Sequence, residues 1–305
     1  MPELPDVTMY IEALRPRVVG FGVDRVRVTS PFVLRTVEPP VEAVVGRRVV
    51  GVSRIGKRIV LELEDELFVV LHLMIAGRLR WAEGPDARPF GGRHMLVSLH
   101  FAAGALSMLE ASKQKRASLH VVAGREGLGQ FHRGGLDVLG ASDAEFCAVL
   151  ARERHTLKRA LTDPRLFDGI GNSFSDEILH AARLSPFKLT TALSPAEVSG
   201  LASACRGVLT GWTERLRAEF TDGSGWLRFP GPGEITAFRP GFAVHGRYRL
   251  PCPACATPVQ RVVFSEREFN YCPGCQTGGK VLADRSLSRL FREDWQKVVE
   301  GLEGM

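Results

Sequence analysis

The chain changes hydrophobic period once. From about Gly20 to Val122 the apolar residues come in short runs, several alternating with polar ones. From Ser142 to Phe220 they recur at helical spacing. A run of strands followed by a run of helices predicts an α+β multidomain protein, with the two kinds of element segregated. Seven stretches are of strand length and rich in Val, Leu and Ile: "GVDRVRVTS", "RRVVGVSRI", "KRIVLELED", "LFVVLHLMI", "HMLVSLHFA", "GALSMLEAS" and "ASLHVVA". Gly, Asp and Pro separate them, which predicts a β-sandwich or barrel. Ahead of them "VTMYIEALRP" places Val7, Tyr10, Ile11 and Leu14 on one face of a leading helix that Asp6 can cap. The Gly-rich "GREGLGQFHRGGLDVLGAS" marks the domain boundary. Helices then follow in "SDAEFCAVLARER", "TLKRALTD", "FSDEILHAAR" and "SPAEVSGLASACRGVLTGWTERLRAEF". Ser142, Ser175 or Asp176, and Ser194 offer caps, and Pro195 suits a first turn.

The 305 residues suffice for several cores, and their composition is that of a soluble globular protein. No apolar run is long enough to span a bilayer, since "FVVLHLMIAG" is short and contains His72. The opening "MPELPDVTMY" carries Glu3 and Asp6 and no long apolar run, unlike an export signal, so a cytoplasmic protein is expected. The net charge of +6 favours an anionic partner such as nucleic acid.

Four of the six cysteines form "CPAC" (Cys252, Cys255) and "CPGC" (Cys272, Cys275), sixteen residues apart. Two such pairs at this spacing predict one tetrahedral zinc ion, and the disulfide reading is much weaker without an export signal. "VQRVVFSEREFNY" between the pairs can form a β-hairpin. Four thiolates leave no position for a catalytic water, so the metal is structural and function must come from what the hairpin displays. Arg261, Arg267 and Lys280 surround it, as contact with a nucleic-acid backbone requires. Cys147 and Cys205 read as buried small apolar residues.

In "LKRALTDPRLFDGIGNSFSDEILHAARLSP" one helix ends near Thr162 and the next begins near Ser173. Backbone N–H groups of "DGIGN", with the following helix start, can hold a phosphate. A plain αα-hairpin turn, with Gly169 and Gly171 serving only the backbone, fits the turn chemistry equally well.

"GIGNSFSDEILHAARLSP", the paired CxxC with "REFNY", and the opening "PELPD" closely resemble the formamidopyrimidine-DNA glycosylase and endonuclease VIII family of base-excision repair enzymes. Three separated motifs occur in the family's order over nearly the whole chain. The resemblance implies an N-terminal β-sandwich, a helix–two-turn–helix domain and a zinc finger, acting as a monomer on damaged double-stranded DNA with no membrane partner. The expected divisions are 1–133, 141–250, 251–276 and a C-terminal extension, 277–305. Within the extension Leu287, Leu290, Phe291, Trp295, Val298, Val299 and Leu302 predict one amphipathic helix.

The resemblance also implies that Met1 is removed and that Pro2 becomes the nucleophile through its secondary amine. An α-amine has a reference pKa near 8 against about 10.4 for lysine, so at pH 7 roughly a tenth is free base. Attack on a sugar C1′ gives an iminium, an electron sink that supports strand cleavage. Glu3 is then placed for proton transfer. Lys57, in "RIGKRIV", falls where the family carries a catalytic lysine; without the resemblance it reads as a surface lysine. Lys158 and Asn172 match phosphate-holding positions, and Arg267 matches the finger arginine.

Two departures concern the damaged base. Where the formamidopyrimidine branch reads Asp-Pro-Arg-Arg-Phe-Gly, this chain has "EASKQKRASL", with no Phe. "HLMIAG" puts Met74 and Ile75 where a wedge residue is expected, although both also read as ordinary core. The sequence therefore predicts a bifunctional glycosylase and AP lyase for oxidised or ring-opened bases, weak on 8-oxoguanine. The alternative is a non-catalytic binder of damaged or distorted DNA, and the presence of Pro2, Glu3 and Lys57 together favours the enzyme.

Overall fold

A computed structural model describes residues 1–90, 92–231, 233–264 and 267–282. The amphipathic helix expected after residue 283 lies outside the described residues. The chain forms two compact units, Met1–Gly135 with Leu209–Ala237, and Leu136–Val208 with the chain from Phe238 onward.

The first unit is the expected sandwich with its leading helix. Helix α1 spans Leu4–Val18. Strands β1 (Arg25–Val28), β6 (Met95–Phe101), β7 (Gly104–Glu110) and β5 (Gly77–Glu83) form one sheet in the order β1-β6-β7-β5. Strands β2 (Val49–Ile55), β3 (Arg58–Leu63), β4 (Leu67–His72) and β8 (Ser118–Ala123) form the other, in the order β2-β3-β4-β8. Every neighbouring pair is antiparallel. One apolar core joins the two sheets through Ile59, Leu61, Val69, Leu71 and Leu119 on one side and Leu79, Val97, Leu99, Leu106 and Met108 on the other. Val7, Tyr10 and Leu14 of α1 enter the same core. Strand β5 is the one that the sequence reading passed over. Its residues alternate buried and part-exposed, with Arg78 and Arg80 on the wetter face.

Asp6 does not cap α1. The helix starts three residues earlier, with Glu3 as N-cap and Asp6 at the third helical position. The Glu3 N–H donates to Asp6 Oδ2 at 2.8 Å, one half of a reciprocal capping box, and Pro5 needs no amide partner in the first turn.

The second unit contains α2 (Asp143–Leu150), α3 (Leu157–Thr162) and α4 (Asn172–Ala181), then a hairpin of β9 (Gln260–Phe264) and β10 (Arg267–Tyr271) and the short α6 (Pro273–Gln276). Ser142 caps α2 through a capping box with Glu145. Gly171, not Ser175 or Asp176, is the N-cap of α4; both of those side chains lie inside the helix and are buried. Helix α5 (Pro195–Phe220) begins in the second unit and ends in the first. Among the described residues no helix is long and apolar enough to cross a membrane.

Candidate functional site

The residues expected to act lie in three places. The first surrounds the chain's N-terminus. Pro2 and Glu3 are buried, because α1 begins at once and sinks its first turn into the sandwich core. Burial pushes the N-terminal amine below its ordinary value of 8.0. The Glu3 carboxylate opposes that shift, Arg78 adds to it, Asp6 opposes it and Lys57 adds to it. Here the amine belongs to Met1 and stands in for the one Pro2 would carry after methionine removal. Glu3 and Lys57 thus both fall within electrostatic reach of the chain terminus. Lys57 gets there on the two-residue loop Gly56–Lys57 between β2 and β3, where Gly56 takes a φ of 61° that suits glycine.

Arg78 was not singled out in the sequence, where it is one of several arginines in a strand. Its Nη1 donates to the carbonyls of Ile75 at 3.1 Å and Gly77 at 2.7 Å. His72 is a second residue found only in the structure. It pairs in register with Arg58 and Ser118, and burial, with Arg58, Lys57 and His120 nearby, pushes its pKa down to about 3. It is a neutral imidazole beside Lys57 at any working pH.

The second place is the turn between β4 and β5. The Gly77 N–H donates to the Leu73 carbonyl at 2.8 Å, folding residues 73–77 into a tight loop. Met74 sits at its bend with a φ of 52° and is part-buried, while Ile75 is 63% exposed. Ile75 is therefore not core. The loop "EASKQKRASL" is pinned at its base by buried Glu110. Its Oε2 accepts from Ala117 N–H at 3.0 Å and its carbonyl accepts from Lys115 Nζ. Lys113, Gln114 and Arg116 face solvent to differing degrees, and no aromatic residue is among them.

The third place is in the second unit. Lys158 on α3 is buried, 7% exposed, and its ammonium donates to Asn172 O at 2.7 Å, Ser175 Oγ at 2.8 Å and Asp176 Oδ1. Asn172 opens α4 and its Nδ2 donates to Glu268 O at 2.7 Å, which ties it to β10 next to Arg267. The backbone of Arg267 is the first residue of that strand. Asp176 Oδ2 accepts from His245 Nδ1 at 2.7 Å and from the Asn270 N–H at 3.1 Å. Glu177 accepts three backbone N–H groups, from Ala243, Val244 and His245, at 2.6, 2.9 and 2.9 Å; burial nevertheless raises its pKa. Seven consecutive residues of α4, Ser173 to Leu179, are buried. A helix so enclosed must pair its polar side chains: Ser175 Oγ donates to Gly171 O within the same turn, while the partners of Asp176 and Glu177 lie far away in sequence.

The four cysteines of the hairpin bring their sulfurs within 4.8 Å of one another. Cys252 Sγ lies 3.9 Å from Cys275 Sγ, and Cys255 Sγ lies 3.3 Å from Cys272 Sγ and 3.4 Å from Cys275 Sγ. Such a set of soft donors fits one structural metal ion. Cys252 and Cys272 are buried, and burial pushes the Cys272 thiol up to about 11, so a cation is what would keep it a thiolate. His180 of α4 places Nε2 at 3.2 Å from Cys252 Sγ. Gln276 donates to Leu184 O at 2.9 Å and accepts from the Cys272 N–H at 2.8 Å. Both contacts join the metal site to the end of α4. A further group, Glu153, His155 and Asp163, has Arg165 in ion-pair contact with both carboxylates.

Comparison with known proteins identifies the family. The family model "Formamidopyrimidine-DNA glycosylase N-terminal domain" matches residues 1–117, and "Formamidopyrimidine-DNA glycosylase H2TH domain" matches residues 140–217. The formamidopyrimidine-DNA glycosylase of Symbiobacterium thermophilum is 33% identical over 90% of this chain and 89% of its own length. That of Thermus thermophilus is 33% identical over 92% and 100%. A shorter formamidopyrimidine-DNA glycosylase-like protein of Mycobacterium tuberculosis is 41% identical over 52% of this chain and 94% of its own. In fold, the chain matches Lactococcus lactis Fpg in complex with abasic-site DNA, with a TM-score of 0.77 and 24% identity over 90% of this chain and 99% of that one. With relatives this similar along almost their whole length, the chain belongs to the formamidopyrimidine-DNA glycosylase family.

Proposed function

We propose that this protein is a DNA repair glycosylase with AP lyase activity, acting on damaged double-stranded DNA. The observation that carries the reading is the convergence of Glu3 and Lys57 on a buried chain terminus whose amine is held below its ordinary pKa. After removal of Met1 the nucleophile is the secondary amine of Pro2. Its lone pair attacks C1′, the damaged base departs with a proton, and the sugar ring opens to an iminium. Loss of a C2′ proton expels the 3′-phosphate, and water then hydrolyses the iminium and frees the amine. Glu3 is placed to carry protons in these steps, and burial, with Arg78 and Lys57 adding to it, favours the free amine. Met74 and Ile75 fill the space left by the everted base. Asn172 and Arg267 hold the backbone, and one zinc ion on Cys252, Cys255, Cys272 and Cys275 holds the finger. The protein works as a monomer in the cytoplasm.

Oxidised and ring-opened bases and abasic sites are the expected substrates. Excision of 8-oxoguanine is expected to be weak, because "EASKQKRASL" offers cations but no aromatic wedge. Borohydride trapping on an abasic duplex, run beside a panel of single-lesion duplexes, tests the reading. The processed protein should form a covalent adduct, and Pro2→Gly should lose most of it while still binding DNA. Equal trapping by a form that retains Met1 would remove Pro2 as the nucleophile. Binding with no trapping at all would leave the non-catalytic binder.

A further inference from the structure

Lys158 stands at a family phosphate-holding position, yet its surroundings assign it another task. An ammonium has three donors. Those of Lys158 go to Asn172 O, Ser175 Oγ and Asp176 Oδ1, in a pocket that leaves the residue 7% exposed. Asp176 is 1% exposed and divides its oxygens between Lys158 on one side and His245 Nδ1 with the Asn270 N–H on the other. Two ties therefore join α4 to β10, at strand positions two residues apart. The Asp176 carboxylate holds the amide of Asn270, and the Asn172 side chain holds the carbonyl of Glu268. Arg267 is the next residue along that strand. The lysine acts on the same turn through the carbonyl of Asn172.

We propose that Asp176 is a positioning residue of the phosphate grip, that Lys158 is its buried counter-ion, and that Lys158 itself makes no phosphate contact. The pair sets the first turn of α4 against β10, so that Asn172 and Arg267 meet the same stretch of backbone. This rests on the reading that Asn172 and Arg267 grip DNA. The charges are required as a pair: removing one leaves the other buried and uncompensated, whereas removing both does not.

Salt dependence separates the two roles of Lys158. A lost phosphate cation lowers the slope of log K against log salt by about 0.9. The full-length, zinc-loaded protein is titrated onto a duplex with a tetrahydrofuran site along a salt ladder, with melting and zinc content recorded for each variant. Lys158→Met alone should weaken binding by roughly tenfold, a coupling common between contacting residues. Lys158→Met with Asp176→Asn keeps an acceptor for Asn270 N–H and should recover most of that loss with the wild-type slope. A slope still lower by about 0.9 in the double variant would make Lys158 a phosphate ligand and overturn the proposal.

A second cycle asks whether Asp176 acts through Asn172. Asp176→Asn and Asn172→Ala together should bind no more weakly than the worse of the two alone. Effects that simply add would make Asp176 a general stabiliser and refute its positioning role. Asp176→Asn is nearly isosteric, so this arm is readable even where Lys158→Met fails to fold. Wild-type protein with no preference for the abasic duplex would count against the functional reading; the slope comparison, which any duplex supports, would still decide the role of Lys158.

Discussion

Gly77→Ala tests whether the 73–77 turn is what presents Met74 and Ile75. A Cβ at Gly77 would lie 2.9 Å from both the Cα and the carbonyl carbon of Leu73, and closer still to its oxygen. Carbon atoms in contact normally stand about 3.5–4.0 Å apart, so the turn must open by roughly 0.6–1 Å. Opening strains the hydrogen bond from Gly77 N–H to the Leu73 carbonyl, and every atom in the way is backbone. Overpacking of this kind costs about 1–3 kcal/mol, and the weakened bond places Gly77 toward the upper end. For a unit of this size that lowers the melting temperature by about 4–10 °C. Gly207→Ala is the internal control. Gly207 is exposed on α5 with nothing within 4 Å of its Cβ position, so alanine there should stabilise by about 0.5–1 kcal/mol. Thermal denaturation reads both variants, and 2-aminopurine fluorescence opposite the lesion reads base eversion. The expected result is a lower melting temperature and reduced eversion for Gly77→Ala, with neither in the control. A Gly77→Ala protein that melts within 1 °C of wild type, an interval set by the roughly 2–4 °C per kcal/mol conversion, would refute the steric argument.

Two further outcomes follow from other parts of the molecule. Metal analysis should find one zinc per chain, and a chelator should weaken DNA binding before it unfolds the first unit; His180→Phe removes the contact to Cys252 Sγ and should speed zinc loss, with an unchanged release rate arguing against that contact. His72 has a folded-state pKa of about 3 against an ordinary 6.5, so the unfolded chain binds the extra proton first, and its contribution to stability is full above pH 6.5 and is lost as pH falls toward 3; His72→Gln should flatten the melting-temperature profile across that interval, and an unaltered profile would deny the imidazole its role.

How far the sequence could be read depended on the distance over which each feature is determined. Strand alternation and the CxxC pairs are local, and both sheets and the cysteine cluster follow from them. The beginning of α1 is also local, but Glu3 and Asp6 both carry capping chemistry, and only the reciprocal bond with Glu3 as N-cap decides between them. Strand β5 is hard to read because Arg78 and Arg80 interrupt its short apolar pattern. The acids of α4 mark the limit. Asp176 reads as a candidate helix cap and Glu177 carries no signal, and their burial depends on Ala243, Val244, His245 and Asn270, at least 66 residues away. Ile75 could not be told from core because its exposure comes from a turn closed by Gly77. Lys158 was found by motif, and its enclosure by Ser175 and Asp176 has no signature in spacing.

The path of α5 bears on how the protein is made. Its C-terminal half belongs to the first unit, where Leu216 and Phe220, with Ile235 beyond the helix, lie in the sandwich core at 0%, 0% and 1% exposure. The first 135 residues leave the ribosome without these side chains and must wait about 80 to 100 residues for them. At ordinary elongation speeds that delay is roughly 5–20 s. During it the nascent sandwich has an open apolar seat where α5 will land, a surface suited to a chaperone. A stop codon anywhere between Gly135 and Leu209 would strand the sheets in that state, so the first unit can be produced alone only by grafting Leu209–Ala237 back onto its end.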